Sequence, residues 1–80
     1  MKKHFYRNAH FLGSKIKFLR KINHLTMEDL IAKCIRQNAD SAPSISYLSL
    51  IENGKRNPSK KLMDAFCIIF QKKIDWFDDK

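Results

Sequence analysis

Chain breakers are scarce in this protein, with two glycines and two prolines among 80 residues. Collagenous, loop-rich and low-complexity chains need many more of both, so a folded and mostly helical chain is expected. Acids are scarce as well, 8 against 16 lysines and arginines, and residues 1–25 contain none. Cysteine is limited to Cys34 and Cys67, with no Cys-x-x-Cys motif and no ligand spacing to His4, His10 or His24. That argues against a disulfide scaffold or a metal module, and both thiols are expected as reduced core residues. The longest apolar run is only Ala65 to Phe70, far short of the ~20 residues of a spanning helix, and the basic start lacks the apolar core of a signal peptide. Paired carboxylates at catalytic spacing, a nucleophile beside a base and a glycine-rich phosphate loop are all missing, so neither an enzyme nor a cofactor is expected.

What is present is charge of one sign, unevenly placed. The net charge is +8. Residues 1–25 account for most of it through Lys2, Lys3, Arg7, Lys15, Lys17, Arg20 and Lys21, and Lys55, Arg56, Lys60 and Lys61 supply a second concentration. A polyanion is the natural partner, because neutralising phosphates releases their counterions and gives sequence-independent affinity. An anionic membrane would accept the same charge, but no segment reads as a membrane anchor. At this length the chain is one domain.

Apolar residues recur at helical spacing. Leu12, Ile16 and Leu19 form one stripe over 11–22 with Phe18 and Ile22 on its flank, predicting a first helix. Thr26, followed by Glu28 and Asp29, reads as the capped start of a second, whose apolar face is Met27, Leu30, Ile31, Cys34 and Ile35, ending near Gln37. Residues 38–43, NADSAP, are turn formers, more than the ~3–4 that join the helices of a helix-turn-helix. A third helix is predicted over 44–53, capped by Ser44 or Ser46 and ended by Gly54 in the left-handed conformation. Pro58 forbids continuation. A fourth helix follows Ser59 through Leu62, Met63, Phe66, Ile69 and Phe70, and Ile74–Phe77 predicts a short fifth helix folding back. Residues 78–80 read as a frayed tail, and 1–10 as either a phosphate-contacting arm or an extension of helix one.

Thr26-Met27-Glu28-Asp29-Leu30, then YLSLIENGKRNPS at 47–59, then Ile74-Asp75-Trp76-Phe77 occur in the order and approximate spacing found in the helix-turn-helix family of phage repressors and Cro proteins. The chain resembles that family from about residue 11 to 77. The resemblance implies an all-α, compact five-helix lambda-repressor-like domain whose 44–53 helix enters the major groove of double-stranded DNA. It places base reading on Ile45, Ser46, Tyr47 and Leu50, and phosphate contacts on Ser44, Lys55, Arg56, Asn57 and Lys60. It also implies an ion pair between Arg20 of helix one and Glu52, and a bacterial or phage-encoded cytoplasmic regulator, more often a repressor, acting as a homodimer. The candidate dimer surface is Phe70, Ile74, Trp76 and Phe77.

Three departures qualify what is implied. Met27 stands where the family usually has a polar residue on the DNA backbone. The 38–43 turn is lengthened. The reading positions are poor in bidentate hydrogen-bonding groups, so Ile45 and Leu50 are expected to meet thymine methyls and DNA shape carries more of the specificity. Leu50 is expected to face solvent, the other reading being that it packs on the core or on a partner subunit. A different class of function also stays open: a protein-binding module such as an antitoxin or anti-repressor, using Ile45, Tyr47 and Leu50 on a second regulatory protein.

Overall fold

Five α-helices follow one another: α1 Ala9–Ile22, α2 Met27–Gln37, α3 Ile45–Glu52, α4 Lys60–Phe70 and α5 Ile74–Asp78, with a 3-10 turn at Ala39–Ser41 between α2 and α3. They are seen in a computed structural model that describes residues 9–78, with side chains described over 11–77. Residues 1–8 and Asp79–Lys80, which hold most of the expected arm and tail, lie outside the described residues. Ala9 and His10 open α1, and Asp78 closes α5, so each of those helices reaches further than the sequence pattern indicates. The described residues contain no strand, and the fold is all-α.

The helix starts have local causes. Thr26 caps α2 through a reciprocal capping box: the Asp29 N–H donates to the Thr26 hydroxyl at 3.0 Å and the Thr26 N–H donates to the Asp29 carboxylate at 2.9 Å. Two orphan N–H groups are satisfied at once. Those same bonds from Thr26, backbone first, hold the Asp29 carboxyl below its ordinary range. Ser44 caps α3 by accepting from the Tyr47 N–H at 3.0 Å, and Ser59 caps α4 by accepting from the Leu62 N–H at 3.2 Å.

Three helices end in the same way, on a left-handed residue flanked by a paired set of backbone bonds. After α3, Gly54 has φ 77°, its N–H donates to the Ile51 carbonyl at 3.1 Å, and the Lys55 N–H donates to Leu50 at 2.8 Å. This is the Schellman arrangement, which closes the last turn and aims the chain away. His24 after α1 (φ 58°) and Gln71 after α4 (φ 56°) do the same without the freedom of glycine.

The core gathers Leu12, Ile16 and Leu19 of α1, Leu30 and Cys34 of α2, Leu48 and Ile51 of α3, Leu62, Met63, Phe66 and Phe70 of α4 and Phe77 of α5. Phe66 is fully enclosed, and truncating such a ring costs about 3–5 kcal/mol. The radius of gyration, 11.7 Å, matches the roughly 12 Å of a compact chain of this size. Periodicity overstates the core in places: Ile35 is exposed and Cys67 only half-buried, while the flanking Phe18 and Ile22 are exposed. Phe18, Ile22 and Ile35 lie at the margins of their helices' apolar stripes. Cys34 is buried and unpaired by any disulfide, and burial pushes its thiol up to about 11.

The α4–α5 end corrects the expected dimer surface. Phe70 and Phe77 belong to the chain's own core and offer nothing to a partner. Trp76 is half-buried against the same core, with the Lys15 ammonium 4.8 Å and the Lys72 ammonium 5.1 Å from its ring centre. Lys15 also donates to the Trp76 carbonyl and lies 4.6 Å from the Phe11 ring, fastening α5 to α1. Of the four candidates, Ile74 alone is exposed.

Candidate nucleic-acid interface

Helix α3 is held from one side by two devices on α1. The first is Gly13, in the middle of α1: a Cβ there would lie 2.1 Å from the Ile51 carbonyl oxygen and 2.9 Å from that of Glu52. Only a residue without a side chain lets the end of α3 approach this closely. The second is an ion pair. The Arg20 Nε donates to Glu52 Oε2 at 2.7 Å and its Nη2 to Oε1 at 2.9 Å, a two-pronged contact with both residues buried. The third nitrogen, Nη1, donates to the Leu25 carbonyl at 2.9 Å. One guanidinium thereby ties together α1, the turn into α2 and the last residue of α3. The hydrogen bonds to Glu52 hold Arg20 above its already high ordinary value, so the guanidinium stays charged at any physiological pH.

Breaking such a pair from one side leaves an unpaired buried charge and costs about 3–5 kcal/mol. Its consequence for the site is orientation. With Leu48, Ile51 and Glu52 buried, the 100° step of a helix turns Ser46, Leu50 and Asn53 outward. Ser46 and Asn53 are exposed, and Ile45 and Leu50 are 44% and 39% exposed. Ser44 keeps its own hydroxyl hydrogen free for an outside acceptor while its oxygen caps the helix.

Tyr47 is placed differently from the other positions expected to read bases. It is half-buried against the core, and its hydroxyl donates to the Asn57 carbonyl at 3.3 Å. That bond sets the basic turn beside α3, with Lys55, Arg56 and Asn57 all exposed. Tyr47 therefore acts on the position of the turn. Lys60 is exposed and makes only a loose contact, 3.5 Å, with Asp64 one helical turn on. Met27 is half-buried against the core, which suits the apolar residue found at that helix start.

Sequence reasoning passed over Gly13 and Asn53. An interior glycine in a helix carries no positional signal until its neighbour is known. Asn53 was legible: it falls one turn after Ser49 on the outward side, and its amide donates to the Ser49 hydroxyl at 3.4 Å. Asparagine is one of the few side chains that can bond an adenine edge with two contacts.

Among the described residues, no three His, Cys, Asp or Glu side chains gather into a metal-binding group, and no helix is long and apolar enough to cross a membrane. No protein-family model, curated protein or solved structure matches this chain.

Proposed function

We propose that this protein is a sequence-specific double-stranded DNA-binding regulator of the helix-turn-helix class, similar to the phage repressors and Cro proteins, with α3 as the groove-reading helix. The observation that carries the reading is the division of α3 into a locked inner face and an open outer one, bordered by the cationic turn 54–60. Ser46, Leu50, Ile45 and Asn53 meet the bases in this scheme. Ser44, Lys55, Arg56, Asn57 and Lys60 hold phosphates. Asn53 adds the bidentate group that the other reading positions lack, and the two apolar side chains take thymine methyls.

A two-fold dimer on half-sites about one duplex turn apart would extend the short footprint of a single helix. Its surface is not the Phe70–Phe77 pair, which is internal. A role as a bacterial or phage cytoplasmic repressor fits the same reading. The exposed Ile45 and Leu50 favour one rival, a protein-binding module such as an antitoxin or anti-repressor subunit.

Titration of labelled duplex DNA at several salt concentrations separates the two. DNA binding through this surface gives log affinity falling with log salt at about −0.9 per phosphate neutralised, several such contacts giving a steep line. A flat response, or no binding at low salt, defeats the DNA reading and leaves the protein-binding one.

A further inference from the structure

Helix α1 carries an apolar ridge that the DNA reading does not use. Phe11, Phe18 and Ile22 are spaced i, i+7, i+11, with Lys15 at i+4, so all four fall within about 60° of the helix circumference. Phe18 and Ile22 are 55% and 53% exposed and Phe11 is 37% exposed. The ridge runs for about 16 Å, three helical turns. On one side it falls to the core residues Leu12 and Leu19; on the other stand the exposed Lys17 and Lys21. At its Phe11 end, Lys15 bridges to Trp76 of α5 and closes the ridge off.

We propose that this ridge is a docking surface for an amphipathic helix of another protein, one whose apolar seam is bordered by carboxylates facing Lys17 and Lys21. Charge complementarity selects the occupant. Lys17 and Lys21 border the ridge and α1 carries no acid, so pairing α1 with α1 of a second copy sets cations against cations. Duplex DNA satisfies the lysines but leaves the exposed Phe18 and Ile22 in water. An anionic membrane suits both chemistries less well, because the other face of α1 is fixed in the core and only a narrow line of side chains is presented, where an interfacial helix offers a broad one. The width and length suit one helix lying alongside another. The surface is separate from α3, so it does not depend on the DNA reading.

The test uses the full chain and a fluorescent designed helix of ~20 residues, long enough to be helical, with a Leu seam at the same spacing bordered by Glu, and its counterpart bordered by Lys. Saturable binding of the Glu-bordered peptide is expected, weakened roughly tenfold or more in Phe18→Ser/Ile22→Ser. The charge-reversed Lys17→Glu/Lys21→Glu protein is expected to exchange preference and take the Lys-bordered peptide. These residues are exposed, so circular dichroism of the variants should match the parent, and duplex DNA affinity of Phe18→Ser/Ile22→Ser should be unchanged. The proposal is overturned by absent peptide binding, or by binding indifferent to charge reversal. It is equally overturned if the phenylalanine variant instead abolishes self-association in sedimentation, or abolishes binding to phosphatidylserine vesicles while the peptide never binds. A fall in DNA affinity of that variant would merge the ridge with the α3 surface and defeat its separate assignment.

Discussion

The two faces of α3 are built on opposite terms. The inner face is over-determined: a glycine that admits no side chain, a buried guanidinium with three nitrogens engaged, and two fully enclosed aliphatic residues. On the outer face almost nothing is fixed by the chain itself beyond the Ser44 cap, the loose Ser49–Asn53 contact and the Tyr47–Asn57 bond. The contrast teaches how so short a helix can present a surface in a defined attitude. Rigidity comes from behind, and the exposed side is left free to be polar, apolar or cationic as a partner requires. Substitutions should therefore divide cleanly, inner ones changing stability and outer ones changing affinity.

The largest effect is expected from Arg20→Ala, which strands Glu52 in the interior and should lower the unfolding free energy by about 3–5 kcal/mol in chemical denaturation. Arg20→Met combined with Glu52→Leu should recover most of that loss, since both charges then leave the core together. If Arg20→Ala costs no more than a surface substitution, the inner face is not what holds α3. Gly13→Ala comes next. The added methyl meets backbone rather than a flexible side chain, so about 3 kcal/mol should be lost although alanine is the better helix former. A stabilised Gly13→Ala would mean that α1 and α3 do not approach as described.

Smaller and of opposite sign are the two left-handed residues outside this seam. His24→Gly and Gln71→Gly should each raise stability, by about 1 kcal/mol, because the penalty on φ near +57° disappears where the Schellman bonds already require it. A loss of stability in either would show that the side chain does more than close a helix. Smallest in stability is Arg56→Ala, expected to shift unfolding by less than about 0.5 kcal/mol. It should nonetheless weaken duplex binding for all sequences alike and reduce the salt slope by about 0.9. An Arg56→Ala protein that unfolds easily, or that binds DNA as before, breaks the division between the faces.

The same contrast explains what could be read from the residues alone. Helix starts were legible because Thr26, Ser44 and Ser59 act locally through their own side-chain oxygens. The end of α3 was legible because Gly54 and Pro58 are conformational signals in themselves. His24 and Gln71 give a weaker signal, since neither residue type has the conformational freedom of glycine. Gly13 reads as a mild flaw in a helix until the carbonyls of Ile51 and Glu52 are set against it. Periodicity located the apolar stripes but not their covered width, which is why Ile35, read as part of the second helix's apolar face, lies exposed, as do Phe18 and Ile22 on the flank of the first. Phe70 and Phe77 failed in the reverse direction, because an aromatic near the chain end reads equally well as core or as interface. The outward groups of α3 followed from the 100° step, whereas the engagement of Tyr47 with Asn57 depends on where the turn returns, which no local pattern encodes.

The central claim is tested most directly by amide chemical-shift mapping of the full chain during titration with a short duplex DNA at low salt. Perturbations concentrated at 44–50 and 53–60, with the Phe11, Phe18 and Ile22 amides of α1 unchanged, are the predicted result. Perturbations confined to α1, or none at stoichiometric duplex, would contradict it.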